Sequence, residues 1–206
     1  MKLRIVSLSL LALCLAAVPA MAQTVYSNGA INGTTDAWTI NFGFVVSDTF
    51  TTSGGPVNGL VFGAWTFPGD VLINAEVQIT SSEFGGTTFT DQIVSFTQSG
   101  CSTNQYGFNV CTETGSLSSV NLAAGTYWLN IDNAVVNNGD PIYWDENSGA
   151  SSASENSVGT IPSEAFTILG GSTTTTSSTS VPEPSSIMLF GSGILGLAGV
   201  LRRKLF

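Results

Sequence analysis

The 206-residue chain carries 14 acidic and 5 basic residues and no histidine, for a formal net charge of −9. All five cations lie at the ends, Lys2 and Arg4 at one and Arg202, Arg203 and Lys204 at the other, while 13 of the 14 acids fall between Gln23 and Ser180. Salt bridges therefore cannot hold the intervening segment together. Nucleic acid is excluded as a partner because neutralising phosphates needs Lys or Arg. Without His or Lys, neither Ser-His-Asp, Cys-His nor Schiff-base chemistry can be assembled there.

In chain order, the first element is a signal peptide. Lys2 and Arg4 form a basic start, Ile5 to Val18 an apolar centre, and Ala20-Met21-Ala22 a small-x-small end. This order predicts a signal helix over residues 1–22, export through the Sec translocon, and cutting by signal peptidase between Ala22 and Gln23. Cys14 follows Leu13 rather than the small residue that a lipid-attachment site requires, so it leaves with the signal.

Residues 23–169 show short runs rich in Val, Ile, Thr, Phe, Tyr and Trp, punctuated by Gly, Asn, Asp and Pro, the pattern of strands and turns. Strands are predicted over Trp38 to Val46, Gly59 to Thr66, Val71 to Thr80, Gln92 to Gln98, Leu117 to Asn121, Gly125 to Ile131, Ile142 to Trp144 and Ala165 to Leu169. Turns fall at Gly54-Gly55-Pro56, Pro68-Gly69-Asp70, Gly85-Gly86 and Asn137 to Asp140. Such spacing implies an all-β domain, an antiparallel β-sandwich of jelly-roll type; an immunoglobulin arrangement is disfavoured because Cys-Trp-Cys spacing is missing. Alternation in the third strand predicts Ile73, Ala75, Val77 and Ile79 in the core, with Asn74, Glu76 and Gln78 outside.

Cys101 and Cys111 are the two cysteines left after signal removal, and in an oxidising compartment they are expected to pair. A metal or redox role is the alternative, with neither a His nor Cys-x-x-Cys spacing to support it. Asp140, Tyr143, Trp144, Asp145 and Glu146 form the densest group of acids and aromatics. They are open to four interpretations: a surface turn leading into a core strand, a sugar platform, an oxygen-rich Ca2+ site with Asn147, or a glycosidase carboxylate pair. Ca2+ is the one cofactor these residues suggest.

Gly170-Gly171 and the unbroken Ser/Thr run from Ser172 to Ser180 predict a linker over 170–180. Beyond it, residues 181–206 combine Val181-Pro182-Glu183-Pro184, an apolar segment over about 186–201 and the triplet Arg202-Arg203-Lys204. Two prolines keep the first part extended and open to cleavage. The apolar part predicts a single transmembrane helix of marginal length, and the triplet acts as a stop signal that stays in the cytoplasm.

This tail resembles the PEP-CTERM sorting signal of Gram-negative bacteria, in which an extended Pro-Glu-Pro precedes an apolar helix and a basic end. The resemblance implies an exosortase as processing partner, with Val181, Pro182, Glu183 and Pro184 as its substrate site, and a transient anchor before delivery to the cell surface or extracellular matrix. The phrase Leu122 to Leu129, with Asn138 to Asn147 after it, is similar to β-rich ectodomains that carry this tail. Together these features predict a non-enzymatic component associated with exopolysaccharide, biofilm or floc. The alternatives are a carbohydrate-binding module and a carboxylate-only glycoside hydrolase.

Overall fold

The computed structural model describes residues 22–171. The signal helix, linker from residue 172 onward, sorting tail and transmembrane helix that the sequence predicts fall outside the described residues. Within them the chain forms β1 (Gln23–Ser27), β2 (Ala37–Thr39), β3 (Val46–Thr52), β4 (Gly55–Thr66), β5 (Leu72–Ser82) and β6 (Gly85–Thr103). There follow β7 (Asn109–Leu122), β8 (Gly125–Val136), β9 (Tyr143–Asp145), β10 (Ala153–Glu155), β11 (Gly159–Ile161) and β12 (Phe166–Gly170). No helix occurs among the described residues.

The strands make one strongly curled antiparallel sheet in the order β1-β12-β4-β7-β6-β5-β8-β3-β10-β11, with β9 beside β4 and β2 beside β9. The long strand β6 carries the curl. Its residues up to Ser95 pair with β5, and those from Phe96 onward pair with β7. Around that turn the pairings nest: β5 with β6, β4 with β7 and β3 with β8.

Period-two alternation explains the core. Val46 and Phe50 on β3, Val77 and Ile79 on β5, and Leu129 and Ile131 on β8 face Leu60 and Phe62 on β4 and Phe166 and Ile168 on β12, in one buried cluster. Tyr26 bridges the two halves, with its ring 6.2 Å from Phe50 and 5.5 Å from Phe166. With no cation available inside the domain, this apolar burial, at roughly 1.5–3 kcal/mol per large side chain, is the dominant favourable contribution.

Several sequence expectations are corrected by backbone detail. The predicted strand Trp38 to Val46 is two strands, because Phe42 and Gly43 adopt left-handed φ values of 58° and 88° in a turn closed by Phe44 N donating to Asn41 O. Ile73 is 46% exposed and Leu72 is buried in its place. The cause is a pair of irregularities against β8, between Leu72 and Asn74 and between Asn74 and Glu76, which cancel and restore the register by Val77. Strands β6 and β7 run beyond Gln92–Gln98 and Leu117–Asn121, since outward Thr, Ser and Gln continue the ladder without apolar alternation. The boundary at 169/170 also moves. Gly170 ends β12 opposite Gln23, and a Cβ there would meet the Pro56 carbonyl, so the glycine belongs to the sheet. Strand β1 begins at Gln23, the residue expected to follow the signal cut.

The Cys101–Cys111 disulfide joins β6 to β7, with Cα atoms 4.1 Å apart. Closing a loop of this size contributes about 2–3 kcal/mol in the chain-entropy model. Replacing both cysteines by serine should lower the Tm by roughly 5–10 °C. An unchanged melting curve would contradict that, and thiol titration of the denatured exported protein should find no free sulfhydryl.

A buried and a half-buried acid give the fold an unusual pH dependence. Glu113 faces the core of β7 with neither carboxyl oxygen hydrogen-bonded, and burial pushes it up to about 7. Asp132 is pushed up to about 6, by burial first and then by the charges of Glu76 and Asp91. Each folded-state pKa lies above its ordinary value, so the folded chain holds these protons more tightly. The stabilisation they contribute is present at acid pH and is lost as pH rises through about 6 to 7. The Tm should therefore climb as pH falls from 8 to 5, and Glu113→Gln should flatten the alkaline part of the curve. A Tm that declines steadily over that interval would rule this out.

Candidate functional site

Strand β9 separates the residues that the sequence groups together. Trp144 is fully buried, edge-on to Phe62 (5.9 Å) and Phe166 (5.5 Å), and its Nε1 donates to the Ala165 carbonyl at 3.0 Å. It is a core residue and offers no face to a sugar, which corrects the expectation of a Trp144 platform. Asp145 points to the other side. Its carboxylate accepts from Asn32 N (2.8 Å), Gly33 N (2.9 Å) and Trp65 Nε1 (2.6 Å). Burial raises its pKa, and these three bonds oppose the shift.

Glu146 is buried too, and its Oε2 accepts from Trp38 Nε1 at 3.1 Å. Asp140 stays exposed in the preceding turn, where its carbonyl accepts from Asn41 Nδ2. Of the five, Tyr143 alone joins an aromatic group that reaches solvent.

That group comes from elements far apart in sequence. Trp65, next to last in β4, stacks on Tyr106 at 5.7 Å and lies tilted against Phe108 at 5.9 Å. Phe108 in turn meets Phe67 at 4.9 Å and Tyr143 at 5.6 Å. Tyr106 is 58% exposed, and Asp36, Ala37, Trp65, Phe108 and Tyr143 line an adjoining cleft of about 160 Å³.

The β6–β7 loop is built to present these rings. Asn104 Oδ1 accepts from the backbone N–H groups of Tyr106 and Phe108, both at 3.0 Å, and Gln105 Nε2 donates to the Thr34 carbonyl. The disulfide closes the base of the loop. Asp145 fixes Trp65 from beneath through its short bond to Nε1. The sequence signal available for this face was modest: aromatics at Phe67, Tyr106 and Phe108 within turn segments marked by Gly and Asn.

A second, buried group lies at the edge of the core. Asp48 alternates with Val46 and Phe50 on the inward side of β3. Glu146 and Glu164 form an isolated antiparallel bridge, which places their side chains on one face of the sheet. Asp48 Oδ2 accepts from Glu164 N (2.7 Å) and Asn28 Nδ2 (3.4 Å), while Oδ1 has no partner. Neither carboxyl oxygen of Glu164 has a hydrogen bond. Burial first, and then the charge of Asp48, holds Glu164 well above the usual carboxylate range; burial pushes Asp48 up to about 6.

The sorting tail is settled by comparison rather than by geometry. Residues 180–204 match the family model of the PEP-CTERM protein-sorting motif. The tail is a PEP-CTERM sorting signal. PEP-CTERM tails mark exported proteins, so this chain is an exported protein with an exosortase as its processing partner. The match is confined to the tail, and a search of curated proteins found no significant match to the chain. Val181, Pro182, Glu183, Pro184, Arg202, Arg203 and Lys204 fall within the matched segment, outside the described residues.

Proposed function

We propose that the exported domain is a non-enzymatic component of the cell surface or extracellular matrix that holds exopolysaccharide on its aromatic face. It enters through the Sec translocon and signal peptidase and is delivered by exosortase. The nested strand pairing fits a jelly roll, in which β1-β12-β4-β7 would form one layer of the curled sheet and β3-β8-β5-β6 the other.

The observation that carries the proposal is the face of Tyr106, Phe108, Phe67 and Tyr143, half in solvent and held in place by Asn104, Asp145 and the disulfide. Rigid aromatic surfaces flanked by a few polar groups suit sugar rings, whose C–H faces stack on them. A side chain already fixed before binding loses little entropy on contact. The absence of Lys, Arg and His from the domain favours a neutral ligand over an anionic one.

A glycosidase role finds less support. Asp145 at the end of β9 and Glu146 just after it are engaged by different tryptophan N–H groups, those of Trp65 and Trp38, an arrangement unlike two carboxylates flanking one bond. Binding to the producing cell's own exopolysaccharide, measured by pull-down, should fall at least tenfold in Tyr106→Ala with the Tm within a degree or two of the parent. Retained binding in Tyr106→Ala and Tyr143→Ala would refute the aromatic face as the ligand site.

A further inference from the structure

We infer that Asp48 and Glu164 form a structural site for one hard divalent cation of the calcium type. Glu164 differs from Glu113, the other buried acid with two unpartnered oxygens, in lying among several further acids. It is wholly buried, both of its carboxyl oxygens are unpartnered, and the charges around it are those of Asp48, Glu146, Asp145 and Asp36, all of its own sign. The domain holds no Lys, Arg or His that could neutralise it.

The other buried acids nearby are satisfied by donors. Asp145 has three, Glu146 has the Trp38 indole, and Glu155 takes Ser157 N, Ser157 Oγ and Val158 N. Among the acids of the described residues, Asp48 and Glu164 are the pair that both carry unpartnered carboxyl oxygens and are linked by a hydrogen bond, the 2.7 Å bond from Glu164 N to Asp48 Oδ2. A buried carboxylate left in this condition is costly unless it is neutralised.

The surroundings supply oxygen of the right kind. Asn28 Nδ2 donates to Ser151 Oγ and to the Glu164 carbonyl, and Tyr26 OH donates to Asn28 Oδ1. Asn147 Nδ2 donates to the Asn28 carbonyl and Ser163 Oγ donates to Asn147 Oδ1. This polar shell contains no sulfur and no imidazole. Among the described residues no three Cys or carboxylate side chains form a ready-made metal cage. The remaining ligands would be amide, hydroxyl, carbonyl and water oxygens, which calcium accepts in irregular geometry and Mg2+ and Zn2+ accept poorly. Extracellular calcium modules bind at about 10⁻⁴–10⁻³ M, an affinity that suits two carboxylates rather than four.

The experiment uses the full chain as isolated in detergent, stripped with a chelator and titrated with Ca2+ alone. The expected result is one calcium per chain by calorimetry and a Tm higher by a few degrees at tenfold excess over Kd. Asp48→Asn and Glu164→Gln should each weaken binding at least tenfold, while Glu113→Gln should bind as the parent does. Terbium luminescence excited through tryptophan, displaced by Ca2+ and dimmed in Trp38→Phe, gives a readout with Asp48 and Glu164 intact should their variants fail to fold. No calcium binding, or equal binding in the Asp48→Asn and Glu164→Gln proteins, would overturn the assignment. So would a Glu164→Gln protein stabilised at neutral pH with calcium having no effect on the parent, because a shared proton would then be the neutralising ion.

Discussion

Trp144→Ala lowers the stability of the domain by about 3–5 kcal/mol, as expected for emptying a fully buried indole site. Phe62 and Phe166 pack edge-on against the ring at 5.9 and 5.5 Å, and each would border the cavity left behind. The cost lies in the cavity rather than in a stranded polar group: the Ala165 carbonyl that accepts from Trp144 Nε1 at 3.0 Å also accepts from Gly63 N at 3.1 Å. Trp144→Phe, which keeps much of the ring volume, should cost only about 1–2 kcal/mol. Urea unfolding checks both values. A Trp144→Ala protein within about 1 kcal/mol of the parent would return Trp144 to the surface role that sequence suggested for it.

Asp145→Ala should be comparably severe, again about 3–5 kcal/mol, by a different cause. It strands the buried N–H of Gly33 and indole N–H of Trp65, each at about 1–3 kcal/mol, and removes the acceptor of the Asn32 N–H, which is part-buried and costs less. Gly63 leaves no room for rearrangement there, since even a Cβ on it would meet the Asp145 Cβ and the Ile31 side chain at 2.9 Å. Asp145→Asn keeps one acceptor oxygen and should lose roughly half as much. The aromatic face supplies the diagnostic readout: with Trp65 unanchored, polysaccharide binding by Asp145→Asn should weaken even where the protein remains folded. Full binding by that variant would separate Asp145 from the site.

The strands most legible in the sequence were those with one apolar face, β4, β8 and the later part of β5, because alternation is a direct record of burial. Residues such as Asp48 defeat that rule. It sits inward between Val46 and Phe50, so a polar letter at a core position hid β3 beyond Val46. The displacement of Ile73 by Leu72 was equally hidden, since a pair of compensating irregularities is set by the partner strand β8 and leaves no local mark on β5. Proximity along the chain misled at Asp140 to Glu146: a strand sends successive residues to opposite faces, so neighbours in sequence became a core ring, an anchor for Trp65 and a partner for Glu164. The aromatic face and the Asp48–Glu164 pair arise from contacts between residues 35 to more than 100 positions apart, which no single-sequence pattern contains.

The tail was the opposite case. Its information is local and linear, an extended Pro-Glu-Pro, an apolar stretch and a basic end, so the sequence alone sufficed and the family match at residues 180–204 agrees with it. Together the parts describe a delivery signal attached to a domain without His, Lys or Arg, whose stability rests on apolar burial and whose surface includes the exposed ring of Tyr106.

Immunoblotting of cell fractions from strains with and without exosortase tests the sorting of this protein most directly. With exosortase present, the protein should leave the inner membrane in a form shortened by the loss of the segment after Pro182-Glu183-Pro184; without it, a longer form should accumulate in the membrane. The same size and the same location in both strains would contradict exosortase sorting.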